Sequence, residues 1–253
     1  MTQKDLLSQY RDFLKTSIRK RIDFSQTAQS LGAALPPIEK PCAPGAKRID
    51  LPKPDRSRFK AVPLFDAVAA RRSRRAYTGE AISLGELGFL AWATQGLRDK
   101  VTEGHAYRTV PSAGCRHALE TYLLALNVEG LEPAIYRYLP LSHQIVLERT
   151  AESLGMRIAE AASSQSFLAE ASVVFVWAAV PYRMEWRYGL ASHKAIALDA
   201  GHVCQNLYLA CEAIGAGTCA IGAYDQEATD AVLGLDGEEE FVIYMAPVGR
   251  IRD

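Results

Sequence analysis

Four arginines and one serine fill five consecutive positions within ARRSRRAYTG, residues 70–79. Arg71, Ser73 and Arg75 recur at every second position, which places their side chains on one side of an extended chain. Guanidinium groups bind phosphate oxygens bidentately, and a serine hydroxyl adds a donor. The spacing therefore suits a terminal phosphate or a polar ring edge, with Arg72 and Arg74 facing elsewhere. Because charge runs are usually solvated, the run by itself favours an exposed charged face.

A second stretch, VPSAGCRHALE at residues 110–120, joins a proline turn to an apolar run. Its small residues Ser112, Ala113 and Gly114 let backbone approach a flat ring closely. A plain turn with Ser112 as a helix N-cap is the simpler interpretation, and the spacing alone favours it. Cys115 and His117 suggest a Cys/His nucleophile. We expect side chains two residues apart to point away from each other, which argues against that hypothesis.

The stretch from Gly215 to Ala220 matches the dinucleotide pattern G-x-G-x-x-A. That pattern requires a strand before it and a helix after it. Here a long predicted helix comes first, and Gly215 is typical of a helix C-terminus, so a Rossmann site is not predicted. The five cysteines are widely spread and form no CxxC pair, which predicts neither a disulfide scaffold nor a metal site. Cys204 and Cys211 lie on one helical face, where we expect them to be buried.

Composition narrows the functional classes. Lys+Arg and Asp+Glu both total 29 in 253 residues, so no net field attracts nucleic acid or an anionic membrane. The basic block at 53–75 and the acidic block at 225–240 can pair with each other. The N-terminus lacks a signal-peptide core, and the longest apolar run, residues 173–180, is too short to span a bilayer. These features predict a cytoplasmic protein that binds neither nucleic acid nor membrane.

Two segments precede the main predicted domain. Apolar residues from Leu6 to Ile18 recur at helical spacing and predict one amphipathic helix. Seven of the twelve prolines lie between Pro36 and Pro63, which is typical of an extended arm and not of a core element. We therefore divide the chain into a helix and proline-rich arm at residues 1–62 and a domain at residues 63–253.

The domain mixes helices and strands without a regular βαβ repeat. Ser83 and Glu86 form a capping-box pattern, and Gly96 is a natural stop for that helix. AIYRYLP and HQIVLERT predict a hairpin, while residues 172–180 predict a buried strand, 192–214 a long helix and EFVIYMAPVG a late strand. ALETYLLALNV is compatible with a helix turning into a strand. The predicted class is α+β with a central, mainly antiparallel sheet flanked by helices.

Together the arginine segment, the VPSAG turn and the stretch from ALDAGHVCQN to APVGR resemble the FMN-dependent nitroreductase superfamily, specifically its SagB-type dehydrogenase branch. The resemblance covers residues 63–250 and implies a nitroreductase-like fold in an intertwined homodimer. It implies that FMN lies at the subunit interface and that the long helix around Asp199, Gly201 and Gln205 forms the dimer core.

The resemblance also implies roles for particular residues. The phosphate, ribityl chain and pyrimidine edge of FMN would be held by Arg71, Arg72, Ser73 and Arg75. The isoalloxazine would lie against a turn of the other subunit, made of Pro111, Ser112, Ala113 and Gly114. The flavin ring would be backed by Ile221, Gly222 and Ala223. Arg250 would reach the phosphate from the late strand.

Three functions follow as alternatives. Many relatives carry electrons from NADH or NADPH to a small nitroaromatic or quinone acceptor, and this is the expected class. SagB-type relatives oxidise azolines in peptides and use a Lys-Tyr pair for proton abstraction; here Arg187 and Tyr188 occupy that place. Arginine is a poor base, which leaves Tyr188 as the candidate catalytic residue. A flavin-binding redox sensor without turnover is the third alternative.

Overall fold

The computed structural model describes residues 2–102 and 104–252. Its α-helices are α1 (Gln3–Leu14), α2 (Leu64–Ala70), α3 (Leu84–Gln95), α4 (Leu154–Ala161), α5 (Tyr182–Tyr188), α6 (Ser192–Ala213) and α7 (Gln226–Leu233). Its strands are β1 (Arg48–Asp50), β2 (Leu97–Thr102), β3 (His105–Arg108), β4 (Leu119–Ala125), β5 (Ala134–Leu139), β6 (Gln144–Arg149), β7 (Val173–Ala179), β8 (Ala216–Thr218) and β9 (Phe241–Arg250).

The central sheet has the strand order β1-β6-β5-β4-β7-β9-β8, and each neighbouring pair is antiparallel. The predicted α+β class is therefore confirmed, as is the β5–β6 hairpin. ALETYLLALNV resolves as a strand, because all of β4 is buried between β5 and β7. Strands β2 and β3 form a separate two-stranded sheet.

Helices cover both faces of the central sheet. Leu123 and Phe175 point to the face packed by α3 and α6, whereas Leu124 and Val174 point to the face packed by α4 and α7. A strand that is buried on both faces has no polar side to present. This explains why β7 is apolar at every position.

Helix ends follow the predicted signals. Ser83 accepts the N–H of Glu86, and Glu86 bonds back to Ser83, so the capping box of α3 is confirmed together with its stop at Gly96. Gly215 follows α6 with φ +63° and leads into strand β8, which removes the structural basis of a Rossmann site. Among the described residues, no helix is long and apolar enough to cross a membrane.

The N-terminal helix is shorter than predicted. Helix α1 ends at Leu14, and Ile18 lies in a separate 3₁₀ helix, Thr16–Arg21, which carries three basic residues in its last turn. No residue of α1 is buried within this chain. One of its apolar side chains, Phe13, lines a cleft against α6 together with Leu198.

The proline-rich arm is extended, yet it is integrated into the fold. Strand β1 lies within the arm and pairs with β6 at the sheet edge, followed by the buried Leu51. Upstream, Glu120 accepts the backbone N–H of Lys40 at 2.8 Å, and Arg137 donates to the Lys40 carbonyl at 2.8 Å. The ammonium group of Lys40 pairs with Glu240. The prediction that the arm contributes no core element therefore fails at Leu51 and β1.

Candidate functional site

The arginine segment runs directly from the end of α2 along the edge strand β8. Ser73 forms a parallel bridge with Thr218, and the Arg74 N–H donates to the Thr218 carbonyl at 2.9 Å. A Cβ on Gly217 would lie 2.6 Å from the Cβ of Arg74, so only glycine lets the segment approach the sheet this closely. These contacts fix the backbone from which the arginine side chains project.

The side chains of the segment face two places. The hydroxyl of Ser73 lies 3.0 Å from the hydroxyl of Tyr208, and the Arg71 guanidinium lies over the Tyr208 ring, 5.4 Å from its centroid. Ser73 and Arg75 both line a cleft of about 530 Å³, together with Ile251. The predicted alignment of three side chains is thus seen pairwise: Ser73 shares Tyr208 with Arg71 and shares the cleft with Arg75.

The exposed cations of this segment have no anionic partner in the described part of the chain. Arg72, Ser73 and Arg75 are exposed, and no described carboxylate lies within ion-pair distance of an arginine at 71–75. The Nε atom of Arg74 is buried without a hydrogen-bond partner. Several guanidinium groups held close together without a carboxylate favour binding of an anion.

The VPSAG turn is held on α6. The Ala113 N–H donates to the Asp199 carboxylate at 3.3 Å, and Ser112 accepts the His117 N–H at 2.9 Å. Asp199 is buried, and burial raises its pKa. A short 3₁₀ helix does start after Ser112, but the Ser112 side chain makes no cap bond. The predicted N-cap role is therefore replaced by contacts across the turn.

Glycine is required within this turn. Gly114 has φ +59°, and a Cβ there would lie 2.3 Å from the hydroxyl oxygen of Tyr188. Tyr188 is half-buried at the end of α5, with the guanidinium of Arg187 5.6 Å from its ring centroid. Two parts of the predicted site, the VPSAG turn and Tyr188, are thus in contact.

Cys115 and His117 lie closer together than we expected. Both residues have left-handed backbone conformations, with φ of 57° at Cys115 and 45° at His117. The Sγ atom of Cys115 lies 3.6 Å from Nε2 of His117. Burial, followed by the charge of Arg108, lowers the pKa of His117 to about 3. The ring therefore remains neutral near pH 7 and is a weak base for the thiol. The geometric objection to a Cys/His nucleophile was wrong, but the electrostatics give a separate objection.

The loop after β8 lies beside an apolar cavity. Ile221 bridges to Met245 with backbone hydrogen bonds of 2.8 and 3.3 Å, and the Ala223 carbonyl accepts from Gln165. Gly222 lines a cavity of about 500 Å³ together with Tyr244. Its other walls come from α1, β7, the residue before α5, α6 and β9. They consist of Phe13, Ala179, Pro181, His193, Ile196, Ala197, Ala200, Gly201, Phe241 and Ile243.

Arg250 is already paired. Its Nη2 donates to both carboxylate oxygens of Glu86, at 2.7 and 2.9 Å, and its Nη1 bonds to the Ile214 carbonyl. Glu86 is the same residue that closes the capping box of α3. A contact between Arg250 and phosphate therefore stays a prediction, and it would compete with this ion pair.

Helix α6 separates the two halves of the predicted site. Asp199 holds the VPSAG turn and Tyr208 holds the arginine segment. Nine residues advance an α-helix by two and a half turns, so these side chains leave it on opposite sides, about 180° apart. Within one chain, the turn does not meet the arginine segment.

Sequence reasoning missed Tyr208. It is 8% exposed, and its hydroxyl lies 2.8 Å from the Ala220 nitrogen as well as 3.0 Å from the Ser73 hydroxyl oxygen. The available signal was a tyrosine within an α6 stripe of Leu, Ala, Val and Cys, where a buried hydroxyl needs a partner. Cys204 and Cys211 of that stripe are buried as predicted. Among the described residues, no His, Cys, Asp and Glu group could hold a metal.

Comparison with known proteins identifies similar sequences. The nitroreductase family model matches residues 68–250. A Methanocaldococcus jannaschii protein named "Putative nitroreductase MJ1384" is 34% identical over 189 residues, covering 75% of this chain and 91% of that protein.

Solved structures share the fold. An Anabaena variabilis protein described as a nitroreductase aligns with a TM-score of 0.69 and 24% identity over 87% of this chain, which spans only 45% of that protein. A chain of the Escherichia coli microcin synthetase McbBCD complex, with truncated pro-MccB17 bound, aligns with a TM-score of 0.61 and 17% identity. That alignment covers 100% of this chain and 95% of the matched chain. The Vibrio harveyi NADPH:FMN oxidoreductase aligns with a TM-score of 0.53 and 17% identity. That alignment covers 75% of this chain and 69% of the oxidoreductase chain. The nitroreductase-like fold is thereby confirmed.

Proposed function

The chain belongs to the nitroreductase family, and we propose that it is an FMN-dependent oxidoreductase. It would carry electrons between NADH or NADPH and a small electrophilic acceptor of the nitroaromatic or quinone type. Family membership supports a general flavin-type oxidoreductase, and one neighbour is by its title an NADPH:FMN oxidoreductase. One observation carries the proposal: an apolar cavity lies beside Gly222. The loop that contains Gly222 is linked through Tyr208 to the arginine segment, whose arginines have no described carboxylate partner.

The residues present fit FMN in shape and in charge. A cavity of about 500 Å³ falls within the range of roughly 300–1,000 Å³ that is usual for ligand pockets. Its largely apolar walls suit a flat aromatic ring, and burial raises the pKa of Tyr244 to about 12, which keeps that phenol neutral. The unpaired guanidinium groups suit the phosphate. When bound, FMN supplies the two-electron chemistry, and the protein supplies placement and hydrogen bonds.

We assign the binding groups as follows. The arginine segment would hold the phosphate, the ribityl chain and the pyrimidine edge, and its members are Arg71, Arg72, Ser73 and Arg75. The loop behind the ring would consist of Ile221, Gly222 and Ala223. The opposite face of the ring would meet a turn of a second subunit, made of Pro111, Ser112, Ala113 and Gly114. Arg250 would join the phosphate only by giving up Glu86.

The two sides of α6 support a homodimer. Because the VPSAG turn and the arginine segment lie on opposite sides of this helix, one chain cannot place both on one flavin. A second copy packed on the outer face of α6 can bring its turn to the arginine segment of the first. That outer face is open in the isolated chain, where Leu198 is 56% exposed. Leu64 and Phe65 of α2 are also exposed, by 71% and 81%.

Tyr188 is the proposed proton-donating or substrate-facing residue. It touches the VPSAG turn at Gly114, the turn that would face the ring. Its neighbour Arg187 carries a guanidinium, which is a poor base. This arrangement suits reduction of a small acceptor, in which a proton is delivered and none is abstracted.

A SagB-type azoline dehydrogenase acting on a modified peptide is the second candidate. One observation favours it: the likeness to the microcin synthetase component covers the whole chain, arm included. Against it stands Arg187 at the place where the family's azoline oxidases have a lysine base. The two candidates therefore differ in whether the enzyme must remove a proton from its substrate.

Anaerobic titration of the FMN-loaded protein with NADH and then NADPH tests the proposal. Bleaching of the flavin bands by either nucleotide, with recovery on adding a quinone or nitroaromatic, is the expected result. Bands that never bleach, together with oxidation of an azoline peptide, would support the second candidate. Bands that respond to no donor or substrate would indicate a flavin-binding redox sensor.

A further inference from the structure

One phenol connects the arginine segment to the loop behind the predicted ring. Tyr208 lies on α6, and its hydroxyl is 3.0 Å from Ser73 Oγ and 2.8 Å from the Ala220 nitrogen. The Arg71 guanidinium lies over its ring. Three groups from two separate stretches of chain therefore converge on a side chain that is 8% exposed.

One of the two hydrogen bonds around this phenol has a fixed direction. A backbone N–H can only donate, so Ala220 donates and the Tyr208 oxygen accepts. Either hydroxyl can donate in the Tyr208–Ser73 pair. In one of the two arrangements, the phenol hydrogen is donated to Ser73 Oγ. Once Ser73 accepts that hydrogen, its own hydroxyl hydrogen is free to point outward. Ser73 is exposed, so this hydrogen is available to an external acceptor.

We propose that Tyr208 is a positioning residue that presents the Ser73 hydroxyl, beside the Arg71 guanidinium, as a donor to the FMN phosphate. The inference rests on the proposed function and adds to it a residue that acts only through its neighbours. The same phenol fixes the start of the loop containing Gly222 through the Ala220 N–H. Phosphate binding and ring placement thus share one hydroxyl group.

The variant Tyr208→Phe isolates this role. Phenylalanine keeps the aromatic ring under Arg71 and removes only the hydroxyl that bonds Ser73 and Ala220. A matched control is Tyr136→Phe: Tyr136 lies on β5, is 3% exposed, and donates its hydroxyl to the Glu132 carbonyl at 3.0 Å. Both variants remove one hydroxyl from a buried tyrosine, but Tyr136 contacts neither flavin-binding segment.

The test compares FMN with riboflavin, which lacks the phosphate. Flavin-free protein is titrated with each ligand and the fluorescence is followed. We expect Tyr208→Phe to weaken FMN by about tenfold, as for the loss of one well-placed hydrogen bond, and to weaken riboflavin distinctly less. The control should change neither affinity. Because the two residues act in series, Tyr208→Phe combined with Ser73→Ala should lose less than the two single losses added together.

Two outcomes separate this inference from the proposed function. If the wild-type protein binds FMN and Tyr208→Phe leaves the preference for FMN over riboflavin unchanged, Tyr208 is not a positioning residue, although the flavin assignment stands. If the wild-type protein binds no FMN, both fail. Should Tyr208→Phe fold poorly, Ser73→Ala decides, because it removes the other end of the same bond at an exposed position. An unchanged FMN preference in Ser73→Ala overturns the inference.

Discussion

Two clusters of arginine behave differently in this protein. The segment at 71–75 is largely exposed and meets no described carboxylate, whereas Arg108, Arg137 and Arg183 are buried around Glu120. Burial alone would raise the pKa of Glu120, but Arg183 and Arg137 outweigh it and lower the pKa. In the buried cluster the terminal nitrogens of the guanidinium groups are occupied, although the Nε atoms of Arg108 and Arg183 have no partner. The exposed cluster meets no described carboxylate at all.

The buried cluster anchors the arm. Arg108 donates to the Ile38 carbonyl at 2.7 Å, and Arg137 donates to the carbonyls of Lys40 and Pro41 at 2.8 and 3.2 Å. Arginine count therefore does not distinguish a structural cluster from a binding site. The distinction comes from whether carboxylates and carbonyls already occupy the donors.

The largest effect is expected for Glu120→Gln. Removing one partner of a buried ion pair leaves buried guanidinium charge uncompensated and costs about 3–5 kcal/mol of unfolding free energy. Denaturant unfolding checks this, with Glu148→Gln as control, since Glu148 bonds the same Arg137 but is 30% exposed. A loss below about 1 kcal/mol for Glu120→Gln would contradict a buried structural cluster.

A pH dependence comes next. His117 has a pKa of about 3 in the folded chain and about 6.5 when unfolded, so the unfolded state takes up its proton first as pH falls. Its contribution to stability is full above about pH 6.5 and is lost towards pH 3, by up to about 1.4 kcal/mol per unit. A plot of unfolding free energy against pH should have different slopes for wild type and for His117→Gln across this window. Equal slopes of unfolding free energy against pH in the two proteins would show that His117 is not held neutral.

The exposed cluster should affect ligand affinity and not stability. Replacing Arg71 and Arg75 together by alanine removes two charge-assisted contacts, which predicts about 100-fold weaker FMN binding at little cost in unfolding free energy. Arg157→Ala, at an exposed position of α4, is the control. Isothermal titration with FMN measures the change. Unaltered FMN affinity in the double variant would remove phosphate binding from this segment.

Arg250 gives the smallest expected effect and sharpens the comparison. If its main partner is Glu86, Arg250→Gln costs about 1 kcal/mol of stability, as for a partly exposed pair. FMN affinity should then change by less than about threefold. Thermal unfolding and FMN titration on the same sample separate the two roles. A tenfold loss of FMN affinity would place Arg250 with the exposed cluster.

Much of the fold could be predicted from local patterns. The capping box at Ser83, the stop at Gly215 and the β5–β6 hairpin depend on residues close in sequence, and each is confirmed. The limits appear where distant groups meet. Spacing could not show that left-handed backbone brings Cys115 to His117, nor that Lys40 of the arm reaches Glu120 and Glu240.

The candidate site shows the same division. The segment at 71–75 was visible as a charge pattern, but the phenol that organises it was not, because Tyr208 is 135 residues from Ser73. Only the packing of α6 against β8 reveals that contact. Likewise, the sequence alone could not show that the arginine segment and the VPSAG turn contact opposite sides of α6, because neither contact depends on residues close in sequence.

The central claim is an FMN site shared between two subunits. Sedimentation velocity of the FMN-loaded protein, recorded in the visible flavin band, tests it most directly. For a shared site, flavin absorbance should sediment with a dimer, and dissociation to monomers should release it. Flavin that travels with a monomer would contradict the shared site, and a dimer that carries no flavin after reconstitution would contradict the cofactor assignment.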